Sequence, residues 1–100
     1  MKALIVFSVL LFSLSNANAT VIFAGQSKAQ AVCSQCHGIR TPSADAPFPP
    51  LAGRDAAYLA SALKQYRDKT RKSDIMNAIA GSLTDADIDN LAAYYSQLKP

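Results

Sequence analysis

The sequence predicts an all-α fold, a compact body of about four helices, on three observations. Apolar residues recur at helical spacing through the second half of the chain. No segment alternates apolar and polar residues as a half-buried strand would. The long stretch between the first two helical segments is filled with proline, which punctuates helices rather than extending them.

The first helix is expected over about Gly25 to Cys36, with Gly38 as its stop. From Ile39 to Gly53 the chain carries Pro42, Pro47, Pro49 and Pro50, so that stretch must be an extended loop. A second helix follows over about Asp55 to Tyr66, where Leu59, Ala62, Leu63 and Tyr66 share one face. A short helical turn is expected from Ile75 to Ala80, closed by Gly81. The last helix has the clearest start. Thr84 and Asp87 are spaced for a capping box, and Asp85, Asp87 and Asp89 suit the positive end of the helix dipole. Its stripe of Ile88, Leu91, Ala92, Tyr95 and Leu98 needs a partner. Gly25 and Ala29 leave a notch on the first helix that Tyr94 or Tyr95 would fill.

The chemistry is concentrated in Cys33-Ser34-Gln35-Cys36-His37. Two thiols three positions apart can each add across a vinyl group of one porphyrin, and the following imidazole is then held against the iron as proximal ligand. Two other uses of these residues are weaker. A thiol–disulfide centre belongs at a helix start after a strand in a βαβ unit, and no such strand precedes Cys33. A structural zinc site needs four N or S ligands, and the chain outside these five residues offers no further Cys or His. The expected cofactor is therefore one haem c, attached through two thioether bonds.

Residues 1–19 read as a secretory signal peptide, leaving 20–100 as the domain. Lys2 gives a positive start, Ala3 to Leu14 is apolar, and Ala17-Asn18-Ala19 has the small-x-small pattern of a cleavage site. The apolar run of about 12 residues falls short of the roughly 20 that a spanning helix needs, so no stable membrane span is expected. Cleavage is expected near Ala19, with a cut after Ala17 as the alternative, and the periplasm is the destination. The remaining 81 residues are few for an unaided hydrophobic core. A flat apolar cofactor tied by two bonds would supply what the chain lacks.

Without Lys2, nine basic residues face seven Asp, a net charge of +2 that two haem propionates would nearly cancel. No basic stripe with interleaved aromatics appears, which argues against a nucleic-acid partner. Lys64, Arg67, Lys69, Arg71 and Lys72 do cluster. They read either as a solvated helix end or as a docking surface for an acidic redox partner.

One His excludes bis-histidine ligation within a monomer. Met1 leaves with the signal, so Met76, 39 residues beyond His37, is the one methionine left to take the second axial position. His37 and Met76 are thus the expected metal ligands. A soft thioether favours Fe(II), and filling both axial positions removes the open site that oxygen or peroxide chemistry needs. Electron transfer, without substrate turnover of its own, is the function that remains.

Having these parts in order, the chain resembles the class I c-type cytochromes, particularly the small bacterial periplasmic ones, over residues 24–98. The resemblance runs through Gly25, Cys33 to Gly38, Pro49-Pro50-Leu51-Ala52-Gly53, Tyr58-Leu59, the Met76 segment, and Leu83 to Ile88 leading to Leu91-Ala92-Ala93-Tyr94-Tyr95. It implies a cytochrome c fold wrapped around one covalently bound haem. It implies that Cys33 and Cys36 carry the haem, that His37 is proximal and Met76 distal, that the Pro49 carbonyl accepts the His37 ring N–H, and that Leu51 packs on the haem. Gly25 and Tyr94 match the crossing of the first and last helices. Arg54, Tyr58, Tyr66 and Arg71 are candidates for the propionates. Where many relatives carry glycine, this chain has Lys69 and Thr70.

The expected function is that of an electron carrier between a membrane oxidoreductase and a terminal oxidase or reductase. Two alternatives are the haem subunit of a larger periplasmic dehydrogenase, such as a sulfur-oxidising flavoprotein complex, and a haem enzyme or gas sensor with an open iron.

Overall fold

The computed structural model describes residues 18–41 and 48–100. Most of the expected signal segment, and Pro42 and Pro47 of the loop, lie outside the described residues.

The described chain is helical, with no strand among these residues. Helix α1 runs over 18–37 and combines three parts: α-helical 18–28, a π-helical turn at Ala29–Cys33, and α-helical Ser34–His37. Helices α2 (Ala56–Asp68), α3 (Asp74–Gly81) and α4 (Asp85–Gln97) follow. The four helices agree with the expected number and order. The first begins well before Gly25, because 18–24 contains neither Gly nor Pro to stop it. The π turn is a second difference. One extra residue per turn does not register in a pattern of apolar spacing.

Local capping explains where the other helices start. The Asp55 carboxylate accepts from the Tyr58 N–H at 3.0 Å, and the Ser73 hydroxyl accepts from the Met76 N–H at 3.2 Å. At Thr84 both halves of a capping box form: the hydroxyl accepts from Asp87 N–H, and the Asp87 carboxylate accepts from Thr84 N–H, each at 3.0 Å. That reciprocal bond is why Asp87 sits below the usual carboxylate range. Gly38 ends α1 at φ 68°, ψ −177°, a backbone conformation open almost only to glycine.

The core is one cluster: Ala29, Leu59, Leu83, Ile88, Leu91, Ala92, Tyr94 and Tyr95. Four of the five residues of the expected α4 stripe are buried in it, whereas Leu98 lies one position past the helix and is half-buried. The notch at Gly25 takes Tyr94. A Cβ built on Gly25 would stand 2.7 Å from the Tyr94 Cβ and would overlap the Asn90 carbonyl oxygen. Gly25→Ala is accordingly expected to force α1 and α4 apart. Overpacking costs about 1–3 kcal/mol or more, against about 1 kcal/mol regained from alanine's helix propensity. The overlap with a backbone carbonyl places the cost at the top of that range, so a net loss of about 2 kcal/mol should lower the melting temperature by roughly 8–16 °C; an unchanged one would contradict it.

Helix α2 ends at Lys69, whose φ of 66° is left-handed. Lys69 N–H bonds to Tyr66 carbonyl at 3.2 Å and Thr70 N–H to Gln65 carbonyl at 3.0 Å, the two bonds of a Schellman ending. This is a position that favours glycine, and a lysine there costs about 1–2 kcal/mol of backbone strain. Lys69→Gly is expected to stabilise the fold by about 0.5–1 kcal/mol once glycine's extra unfolded-state freedom is discounted. Thermal unfolding checks the sign, and a lower melting temperature would show that Lys69 is not strained.

Arg67 is not free surface charge. It pairs with Asp85 at 2.7 Å, holding that carboxylate below its usual range, and donates to the Leu83 carbonyl at 3.4 Å. It ties the end of α2 to the start of α4. That removes Arg67 from the group of charges available to a partner.

Candidate functional site

A cavity of about 430 Å³ lies between the end of α1, the Pro49 loop and helices α2 to α4. That size is within the roughly 300–1,000 Å³ of cofactor clefts. Its walls are mainly apolar, from Val32, Leu59, Leu63, Ile79, Leu83 and Leu91. Cys33, Cys36, His37, Pro49, Leu51 and Met76, separated by up to 43 positions in sequence, all line it.

The last turns of α1 position the first three. His37 is buried, 8% exposed, and its Nδ1 lies 2.8 Å from the Pro49 carbonyl oxygen. A carbonyl can only accept, so Nδ1 carries the proton and donates. Nε2 is then left with a lone pair, the state required of a metal ligand. Phe48 tilts against the imidazole, ring centroids 5.7 Å apart at 56°.

Both thiols are free, and both are half-buried. Burial pushes the Cys33 thiol up to about 11, outweighing the pull of Lys28 and a hydrogen bond to Tyr95. A reactive redox thiol is instead exposed and electropositive enough to ionise near neutrality. The half-buried Cys33 does not have that setting. Among the described residues no group of three or more His, Cys, Asp or Glu side chains is arranged to hold a metal ion.

Met76 stands in the first turn of α3, half-buried, its backbone N–H fixed by the Ser73 cap. At the mouth, Arg54, Tyr58, Arg71 and Tyr66 form a layered stack. The Arg54 guanidinium lies 5.6 Å from the Tyr58 ring centre, and Arg71 lies 6.0 Å from Tyr58 and 5.4 Å from Tyr66. The Arg71 hydrogen bond and charge hold the exposed Tyr58 phenol below its usual range. No carboxylate pairs with either guanidinium among the described residues. Two uncompensated cations and two phenols at an apolar slot suit a ligand that is apolar with an anionic edge.

Three residues at the site carried no signal that spacing could pick out. Phe48 reaches His37 only because the Pro49 loop folds back. Tyr95 reads as a core-stripe residue, yet its hydroxyl donates to the Gly38 carbonyl at 3.4 Å and meets Cys33. Asn77 follows Met76 directly, and its side-chain bonds depend on a loop conformation that no motif encodes.

The chain matches, over residues 22–94, the family described as cytochrome c oxidase, cbb3-type, subunit III. It is 42% identical over 67 residues to cytochrome c-554(548) of Halomonas halodenitrificans, covering 64% of this chain and 81% of that one. It is 38% identical over 69 residues to a thiosulfate dehydrogenase electron acceptor of Stutzerimonas stutzeri, covering 66% of this chain and 32% of the relative. A solved structure of reduced recombinant cytochrome c4 from Pseudomonas stutzeri superposes with a TM-score of 0.71 at 29% identity, over 81% of this chain and 50% of that one. The chain thus spans most of one relative, half of another and a third of a third.

Proposed function

Because this chain belongs to the class I c-type cytochromes, we propose that it works as a one-electron carrier, in which His37 Nε2 and Met76 Sδ would hold the haem iron. Its two cysteines and its family fit one covalently bound haem c. When bound, that group supplies an iron centre that cycles between Fe(III) and Fe(II). Everything else is done by the chain.

Cys33 and Cys36 would carry the thioether bonds. The Pro49 carbonyl fixes the ring and tautomer of His37 and makes its free nitrogen a better donor. A thioether from Met76 would favour the reduced state and leave no open axial position. Apolar walls, Leu51 among them, would keep water from the macrocycle, and the Arg54–Tyr58–Arg71–Tyr66 rim would receive the propionates. The single observation behind this reading is the convergence of two thiols, an imidazole with Nε2 free and a thioether on one apolar cavity. With His37 and Met76 both engaged, the group would offer no open position to a substrate, which supports a carrier rather than an enzyme.

Among the described residues no helix is long and apolar enough to cross a membrane. With the expected signal over residues 1–19, the proposed location is the periplasm, and the proposed partners are membrane oxidoreductases and terminal oxidases or reductases. A second reading is favoured by the relatives named thiosulfate dehydrogenase electron acceptor: the electron donor is a dehydrogenase of a sulfur compound, with this chain as its acceptor or haem subunit. Native purification separates the two. A red protein eluting alone at about the size of one domain supports the free carrier. Co-elution with a dehydrogenase supports the subunit. Rapid carbon monoxide binding by the reduced protein at neutral pH would overturn both in favour of an open iron.

A further inference from the structure

We propose that Asn77 is a positioning residue that fixes the segment presenting Met76, and so controls whether the thioether stays on the iron. This rests on the assignment of Met76 as axial ligand.

The Asn77 side chain spends both of its N–H donors and one lone pair of its oxygen on three separate backbone groups. Its amide nitrogen donates to the Tyr66 carbonyl at 2.7 Å and to the Arg71 carbonyl at 2.9 Å. Its carbonyl oxygen accepts from the Ser73 N–H at 3.0 Å. Tyr66 is in the last turn of α2, and its carbonyl accepts from Asn77 in addition to the Lys69 N–H of the helix ending. Arg71 and Ser73 belong to the loop joining α2 to α3. One amide thus joins the end of one helix, the loop, and the cap of the next helix.

The cap is the link to the site. Ser73, held by Asn77, accepts the Met76 N–H through its hydroxyl, and Ser73 carbonyl accepts the Asn77 N–H at 2.7 Å. Met76 is therefore oriented by a loop that has no core side chain of its own. Lys69 to Arg71 are polar and Lys72 is exposed. Without the Asn77 side chain, the ties from that loop to α3 would be those of the Ser73 hydroxyl and carbonyl. Axial thioether ligation needs the sulfur held in place, because it is a weak bond to ferric iron. Outer partners of metal ligands commonly decide such binding.

The experiment compares three variants of the haem-loaded protein with the parent. Asn77→Ala removes all three side-chain bonds. Ser73→Ala removes only the acceptor of the Met76 N–H. Thr84→Ala is the control, because it removes the side-chain half of the α4 capping box at a residue that neither lines the cavity nor touches the Met76 segment. Two readouts are followed at neutral pH: the far-red sulfur-to-iron charge-transfer band of the ferric form, and carbon monoxide association to the ferrous form. The expected result for Asn77→Ala is a diminished band and association faster by roughly tenfold or more. Ser73→Ala is expected to move both in the same direction by less, and decides the matter if Asn77→Ala yields no holoprotein. Thr84→Ala should lower the melting temperature and leave both readouts unchanged. A parent with the band, and Asn77→Ala and Ser73→Ala variants that keep it and stay closed to carbon monoxide, would overturn this inference alone. A parent without the band would overturn the Met76 assignment, and this inference with it.

Discussion

Met76→Ala is expected to leave the haem attached, open the iron on one side, and lower the reduction potential. The substitution is unusually clean. Only the backbone N–H of Met76 engages Ser73, and alanine keeps that bond. Alanine also suits the first turn of α3. What disappears is the sulfur and its part of the half-buried cavity wall. Axial ligands move haem potentials over a span of about 0.8 V, and exchanging a thioether for water or nothing should account for a fall on the order of 0.1–0.3 V. Voltammetry measures that shift. Rapid carbon monoxide binding and new peroxidase activity would report the open position. An unchanged potential together with a closed iron would show that Met76 is not a ligand.

His37→Ala acts earlier, at maturation, and with greater loss. The ring is the sole imidazole of the chain, donates to the Pro49 carbonyl at 2.8 Å, and supports Phe48. Its removal frees the Pro49 carbonyl, opens the cavity between α1 and the loop, and leaves the proposed iron without nitrogen. A domain of this size has little core to spare once its cofactor is not retained. Even outer partners of metal ligands cost 10–100-fold when removed, so holoprotein yield should fall by at least roughly tenfold. Haem-dependent peroxidase staining on a denaturing gel, normalised to total chain, measures it. Normal yield of covalently loaded protein would contradict proximal ligation by His37.

The helices were legible where a few residues decide the outcome locally. Thr84 and Asp87 announce the start of α4 because each satisfies the other's backbone N–H, and the structure has both bonds. The α4 stripe was legible because helical spacing places Ile88, Leu91, Ala92 and Tyr95 on one face, and all four are buried. Gly25 was legible as a notch, but whether Tyr94 or Tyr95 fills it depends on how two helices rotate against each other. The long start of α1 and its π turn were not legible, since nothing in 18–33 marks either feature.

At the site the same division holds. Cys33, Cys36 and His37 are adjacent in sequence, and their spacing alone names a chemistry. Met76 could be reached by counting, because the chain without Met1 has no other thioether. The residues that shape the surroundings act through backbone groups distant in sequence. Phe48 depends on how its loop returns, and Asn77 on carbonyls six and eleven positions away. The basic cluster also needed coordinates. Arg67 is committed to Asp85 and Leu83, while Arg71 faces the cavity mouth.

The most direct measurement is the absorption spectrum of the purified protein, oxidised and reduced, before and after conversion to the pyridine adduct. The expected result is a c-type adduct whose pigment stays with the polypeptide in acidified organic solvent, with a weak far-red sulfur band in the ferric form. A colourless protein, or one whose pigment extracts into that solvent, would contradict a porphyrin bound through Cys33 and Cys36.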